Sequence, residues 1–208
     1  MKRLKTDYID LYQCHRHDAQ VTMYEIVRSM DDLVRQGKIL YWGTSEWTSA
    51  QLEEAVHVAA QINAMPPTSN QPRYNILAIL ARDIENHVIP TGKKLGIGQV
   101  VFMPLAQGLL TGKYSAGKSI PKDSRAADAR YSGFMRNTLT EENLYIVEQL
   151  KSIAKQLEIS IAQLALAWCL RLSEISSAII GATKIAHIED NIKGSVRWTP
   201  LFGPEISC

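Results

Sequence analysis

"YIDLYQCHRHD", Tyr8 to Asp18, is the stretch from which the fold can be read. An alternating apolar run climbs to Tyr12 and stops at Cys14-His15-Arg16-His17-Asp18, so it reads as a β-strand ending in titratable groups. Similar runs, rich in β-branched and aromatic residues, return at Ile39–Gly43, Ser69–Tyr74, Val100–Pro104 and Ser177–Ile180. Helical patterns lie between them. Thr22-x-x-Glu25, Thr48-x-x-Gln51 and Ser160-x-x-Gln163 are capping boxes, and Thr140 precedes Glu141 and Glu142 at another helix start. Ile26, Val27, Met30, Leu33 and Val34 share one helical face. Leu52, Ala55, Val56 and Ala59 share a second, and Leu144, Val147, Leu150, Ala154 and Leu157 a third. Ile185, Ile188 and Ile192 mark a last helix. This alternation of strand and helix predicts an α/β fold with parallel strands and right-handed crossovers.

The polar groups follow a rule. His15, Ser45, Gln71, the Pro104–Lys113 loop and Gly181-Ala182-Thr183-Lys184 all come just after a strand. In parallel α/β folds, sites form at the carboxyl ends of strands, so the cluster after Tyr12 is placed at the mouth of a sheet or barrel. A (β/α)8 barrel needs eight strands and typically about 250 residues. This chain has 208 residues and five strand-like runs, so it is either a smaller open sheet or a barrel lacking three βα units.

Composition narrows the function. Hydrophobic residues make up 46% and charged residues 21%, ordinary for a globular domain. A formal charge of +2 gives no electrostatic case for nucleic acid. Cys14, Cys169 and Cys208 show neither a disulfide framework nor metal-ligand spacing, so no metal site is expected and a cytoplasmic location is the expectation. No apolar run is long enough for membrane insertion, and no signal-type block follows the first residues.

Five motifs in order carry a resemblance: "LKTDYIDLYQCHRHD", "LVRQGKILYWGTSEWTSAQL", "NQPRYN", "MPLAQGLLTGKY" and "IIGATKIAHIEDNI". Together they resemble the aldo-keto reductase family, in the branch of glyceraldehyde-phosphate-type reductases and voltage-gated potassium channel β-subunits. The resemblance spans roughly Leu4 to Pro200 and implies that residues 1–208 are the C-terminal part of one such domain. It implies a TIM barrel that binds NADP(H) without a Rossmann glycine fingerprint, and the sequence has no G-x-G-x-x-G. It also implies a small-molecule carbonyl substrate. Further partners would be a second copy of the chain or a membrane channel.

In that family a hydride passes between the nicotinamide and an aldehyde or ketone. A tyrosine acts as the acid, assisted by lysine, aspartate and histidine. His15 matches the histidine; its alternative is a structural histidine bonded to a loop. Ser45 and Gln71 match the residues that hold the carboxamide. Phe102 matches the aromatic position beneath the nicotinamide, or else is simply core. Met103 stands where the family usually has a serine that helps hold the diphosphate, which leaves that task to the backbone N–H groups of Leu105 and Ala106; Pro104, which has no N–H, matches a further cofactor-binding position. Lys113 and Arg125 match phosphate-gripping positions, against the alternative of solvated surface charge. Gly181 and Thr183 precede a helix start suited to phosphate. Lys184 and His187 would meet a 2′-phosphate, and Asp190 and Asn191 the adenine. Arg16, Trp42 and Trp47 are candidates for lining the substrate pocket, with Trp47 more readily packed on its own helix.

The family's D-x-A-x-x-Y-G motif, and the lysine after it, precede the histidine segment. The fourteen residues before His15 contain no such motif, and "ADARYSG" around Asp128 and Tyr131 has the wrong spacing. The expectation is a chain that begins at the fourth strand, lacks the first three βα units, and is catalytically incomplete because the aspartate, tyrosine and lysine are not in it. The alternative is a non-catalytic module that binds NADP(H), or a regulatory one of the channel-subunit kind. After Trp198-Thr199-Pro200 the family continues into a helix, whereas this sequence reads LFGPEISC.

Overall fold

The structure is a computed structural model and describes residues 2–77, 83–131, 133, 135 and 137–196. The expectation for the stretch after Pro200 lies outside the described residues. The chain divides into two compact units. The first comprises Met1–Arg73, Arg82–Val101 and Glu174–Ser177, and the second Tyr74–Ala81, Phe102–Ser173 and Ala178–Cys208.

The sheet runs β1 (Ile9–Cys14), β2 (Ile39–Thr44), β3 (Ser69–Asn70), β4 (Gly98–Val101) and β5 (Ile175–Ala178), in that spatial order. β1 to β4 pair parallel, each with the next. Among the described residues the sheet has five strands and does not close, whereas a full barrel of this kind has eight. The arrangement is that of a partial (β/α)8 barrel.

α1 (Met23–Arg35) and α2 (Ser49–Gln61) begin at the expected capping boxes, with the Thr22 and Thr48 hydroxyls accepting from the N–H groups of Glu25 and Gln51. α1, α2 and α3 (Ile89–Leu95) lie side by side. Trp42, Thr44, Asn70 and Gln99 are all fully buried, on one face of the sheet. Gly92 of α3 sits directly on Gln99, where a Cβ would overlap its amide, so this is the face the helices cover.

The other face carries a row in strict register. Gln13, Gly43, Ser69 and Gly98 are neighbours across β1 to β4, and Ser176 of β5 closes on Gly98. Side chains come from the odd strands and glycines from the even ones, the alternate-strand layering of barrel interiors. Because Gly43 has no side chain, the Gln13 amide reaches across β2 to donate to the Ser69 hydroxyl at 2.9 Å. A Cβ on Gly43 would overlap both groups and stand 2.8 Å from the Ser69 carbonyl oxygen. Leu11 and Tyr41, one pleat below, are exposed.

The second unit is helical around its own core. α4 (Glu141–Gln156) starts at Thr140, which accepts from the Asn143 N–H, and α5 (Ile161–Cys169) starts at the Ser160–Gln163 capping box. Val147, Leu150 and Ala154 pack with Ile161, Leu164, Tyr114, Met135 and the one-sided turns of Ala106–Thr111, a 3-10 segment. Leu144 and Leu157 join at the margin, so the expected α4 face is the buried one. α6 is Ile185–Val196. Tyr74 stacks on Trp168 at 4.8 Å, and the Arg171 guanidinium lies 3.9 Å from the Trp168 ring and donates to the Tyr74 hydroxyl.

Several boundaries and faces differ from expectation. β3 stops at Asn70 rather than Tyr74, because Pro72 has no N–H for the ladder. β4 ends at Val101, and Met103 turns the chain aside at a φ of +58°. β5 lies at Ile175–Ala178, not Ser177–Ile180. The helix of Ile84–Leu95, which opens with a π-helical turn over Ile84–Val88, had no periodic signal strong enough to be expected. In α6 the isoleucines 185, 188 and 192 are exposed, while Asn191 and Gly194 are the buried positions, Gly194 fitting against the backbone of Gln163. In α1 the fully buried residues are Met23, Val27 and Asp31; of the five apolar residues expected, Val27 is among these and Ile26, Met30, Leu33 and Val34 are half-buried.

Asp31 is buried because its carboxylate is fully used. It accepts from the Arg35 guanidinium and, at 3.0 Å, from the Met65 N–H, tying α1 to the loop before β3. The hydrogen bond from Arg35 holds its pKa below the ordinary carboxylate value. A depressed pKa stabilises the folded state above the unfolded-state pKa of about 4, and the contribution drains away as pH falls through the folded-state value. Asp31→Asn should lose about 1–3 kcal/mol at pH 7, and the gap from the parent should narrow as urea unfolding is repeated toward pH 3. Gly43→Ala should cost about 1–3 kcal/mol by overpacking the sheet row. Gly133→Ala, with open space around the position, should cost far less in the same titration.

Candidate cofactor and active site at the strand ends

One pleat beyond the polar row, the register brings His15, Ser45 and Gln71 to the carboxyl ends of β1, β2 and β3. The ladder continues here: the Gln71 N–H donates to the Thr44 carbonyl at 2.8 Å and the Glu46 N–H to the Gln71 carbonyl at 3.3 Å. The Ser45 hydroxyl donates to the Gln71 carbonyl at 3.0 Å. Arg16 joins the group, its Nη1 donating to the His15 carbonyl at 2.6 Å and to Ser45 Oγ at 3.1 Å. The three residues expected together from the first unit are therefore together. The His15 imidazole and the Gln71 amide make no hydrogen bond with any described residue.

The sequence under-read three things here. Arg16 was one pocket candidate among three, yet it bridges two of the site positions. Glu46, at a φ of +59°, accepts from the Arg73 N–H and so fixes the two loops against each other. The Gln13–Ser69 layer beneath the site was signalled by a glycine inside a strand, which marks close approach. Of the other pocket candidates, Trp42 is fully buried on the helix-covered face and donates to the Met65 carbonyl at 2.8 Å, so it lines no pocket. Trp47 is also buried, edge-on to the His17 ring at 5.2 Å. Burial raises the Cys14 thiol to about 11, which removes it as a nucleophile at neutral pH.

In the second unit the expected residues lie on three segments. Phe102 is half-buried just after β4, and its carbonyl accepts from the Tyr74 N–H at 3.1 Å. Pro104 is buried and Leu105 half-buried at the entry to a left-handed stretch: Ala106, Gln107 and Gly108 have φ of +45°, +58° and +101°. The Asn75 amide donates to the Met103 carbonyl at 3.1 Å and steadies this turn. Such successive left-handed residues are costly and concentrate at ligand clamps. The ammonium of Lys113 folds back toward Gly108.

Arg125 lies over the Tyr131 ring at 5.1 Å, with Arg130 also against that ring at 5.5 Å. Arg130 bonds the Asp128 carboxylate and holds its pKa at about 2, so Asp128 stays ionised and has no proton to give near neutrality. Gly181, Thr183, Lys184 and His187 are exposed around the start of α6. Lys184 pairs with Asp123 at 3.7 Å, linking α6 to the long loop. Asp190 and Asn191 are not presented in the same way. The Asp190 carboxylate accepts from the Ser160 hydroxyl at 2.7 Å and the Gln163 amide at 2.6 Å, and Asn191 is buried.

Among the described residues, no group of three or more His, Cys, Asp or Glu side chains converges to hold a metal, and no helix is long and apolar enough to cross a membrane. The model of the aldo/keto reductase family matches residues 1–197. The chain is 41% identical over 206 residues to a probable voltage-gated potassium channel subunit beta of Oryza sativa subsp. japonica, covering 99% of this chain and 62% of that protein. It is 41% identical over 204 residues to a probable subunit of the same description from Arabidopsis thaliana, covering 98% and 61%. A putative subunit of that description from Schizosaccharomyces pombe is 39% identical over 209 residues, covering 99% and 59%. The chain thus spans about three-fifths of the length of these relatives. The match to the family model over nearly the whole sequence agrees with the unclosed parallel sheet and with the polar groups at its strand ends, and the chain belongs to the aldo/keto reductase family.

Proposed function

We propose that this chain binds NADP(H) in the cytoplasm and descends from enzymes that move a hydride between the nicotinamide and an aldehyde or ketone. The observation that carries the reading is the in-register set His15, Ser45 and Gln71 at the ends of three parallel strands. The residues suit the cofactor. The Gln71 amide has a donor and an acceptor free to match a carboxamide, and Ser45 stands beside it. The left-handed turn at Ala106–Gly108 and the cations Lys113, Arg125 and Lys184 suit phosphates. When bound, the cofactor would supply the hydride. His15 would donate a hydrogen bond to the substrate carbonyl and polarise it.

These 208 residues include His15 but not the family's aspartate–tyrosine motif or the lysine after it. Taken alone, these residues are proposed to bind the nucleotide without appreciable turnover. A second reading, a regulatory subunit that reports nucleotide binding to a membrane channel, is favoured by the names of its relatives. Co-precipitation of the chain with a voltage-gated potassium channel, scored with and without NADPH, would separate that role from nucleotide binding alone.

NADPH fluorescence titrated with purified chain should saturate. Gln71→Leu should weaken binding by about 2–10-fold, the worth of one hydrogen bond. Lys184→Ala should weaken NADPH more than NADH. Steady-state assays with a panel of aldehydes should show no rate near the ordinary range of about 1–10³ s⁻¹. Turnover in that range would overturn the incompleteness, and a flat fluorescence titration would overturn the cofactor assignment.

A further inference from the structure

We infer that Asp190 and Asn191, the two residues expected to hold adenine, fasten α6 to α5 instead, and that the nucleotide is held by its phosphates while its base goes unread. The inference rests on the NADP(H) reading and adds which part of the nucleotide governs binding. It starts from a closed ring of hydrogen bonds at the amino end of α5. The Ser160 hydroxyl accepts from the Gln163 N–H at 3.1 Å and donates to Asp190 Oδ2 at 2.7 Å. Gln163 Oε1 accepts from the Ser160 N–H at 3.4 Å. Gln163 Nε2 donates to Asp190 Oδ1 at 2.6 Å and to the Asp190 carbonyl at 3.2 Å. Both carboxylate oxygens of Asp190 are engaged, and so are both polar atoms of the Gln163 side chain.

Burial makes the ring costly to open. Gln163 is only 6% exposed, so its amide hydrogens have no water to turn to. An Asp190 rotated toward a base would leave them buried and unpaired, and that loss is at least as large as the gain from one contact with a neutral base. Asn191 is buried as well. Gly194 stands against the same glutamine, where a Cβ would lie 3.1 Å from the Gln163 carbonyl oxygen. Asp190, Asn191 and Gly194 fall on one side of α6, and that side is the one laid on α5. What α6 presents outward at its start is charge: Lys184 and His187 are exposed. Lys184 meets Asp123 at 3.7 Å with both side chains largely in solvent, a weak pairing that a phosphate can displace. Asp190 is therefore a positioning residue. It sets where the start of α6 stands, and through that where Lys184 and His187 meet a 2′-phosphate.

Binding to purified chain is read by fluorescence with NADPH, NADH and the reduced hypoxanthine analogue of NADPH. In the analogue a carbonyl oxygen replaces the amino donor of adenine and the adjacent ring nitrogen carries a proton, so a side chain matched to adenine meets the wrong edge. The parent should bind NADPH and the analogue within about twofold of each other, and NADH more weakly. Asp190→Asn and Gln163→Met should each weaken NADPH and the analogue by the same factor, about 3–10-fold, and narrow the preference for NADPH over NADH, which a loss of folding stability alone would not change. Gln163 is buried and touches no base, so its variant carries the test if Asp190→Asn does not fold. A parent that binds NADPH saturably but the analogue at least roughly tenfold more weakly reads the base; the inference then falls and the cofactor assignment stands. Variants whose preference for NADPH over NADH equals the parent's would remove the positioning role. Flat titrations with all three nucleotides would overturn the cofactor assignment and this inference together.

Discussion

The first unit depends on two glycines that bring strand-borne polar groups into contact. Gly43 and Gly98 occupy the even strands of a single row, so Gln13, Ser69 and Ser176 from the odd strands can lean across them. The bond from the Gln13 amide to the Ser69 hydroxyl skips a strand, which is sterically allowed only over a residue without a Cβ. A parallel sheet slipped by one residue would turn every side chain to the opposite face, and this row opposes such a slip. The register it fixes is inherited by the next pleat, where His15, Ser45 and Gln71 follow at the same spacing. The site's geometry is in this sense a consequence of packing below it.

Fixed register explains why the chemistry at the rim is so one-sided. The side chains that reach it are donors or neutral amphoteric groups: the His15 imidazole, the Ser45 hydroxyl, the Gln71 amide and the Arg16 guanidinium. The acids close in sequence are turned to structural bonds with backbone N–H groups. In the second unit Lys113 folds back toward the left-handed turn, where the Ala106 and Gly108 N–H groups donate to the Met103 and Leu105 carbonyls, while Arg125 lies over Tyr131 and Lys184 pairs with Asp123.

How much of this was legible in the sequence follows from which forces are local. Capping boxes are local, and Thr22, Thr48 and Ser160 start their helices as read. The order of strands and helices was likewise legible, because it follows from periodicity. What failed depended on partners distant in sequence. Asp31 is buried only because the Met65 N–H and Arg35 meet it, and nothing near Asp31 announces Met65. The isoleucines of α6 have the spacing of a buried face, yet Asn191 and Gly194 are the residues that fit against α5. Asp190 matched a ligand position by motif, but its carboxylate is taken by Ser160 and Gln163, the two residues of the α5 capping box. A motif names the residue type at a position, and the neighbours decide which of its atoms remain free.

The two faces of the sheet show where stability and function separate. A parallel sheet is ordinarily buried on both faces. On the helix-covered face Trp42, Thr44, Asn70 and Gln99 are wholly out of solvent, with Thr44 donating to Asn70 Oδ1 at 2.9 Å and the Gln99 amide to the Ile97 carbonyl at 3.1 Å. That face holds the first unit together. On the other face, Leu11 and Tyr41 stand exposed below the polar row, and the outer edge of β1 is unpaired among the described residues. Each large side chain left in water forgoes roughly 1.5–3 kcal/mol that burial would supply. The same openness leaves His15, Arg16 and Gln71 accessible. Substitutions on the helix side should therefore be felt mainly as stability, whereas those on the open side act on recognition, except at the two glycines, where both depend on the same row.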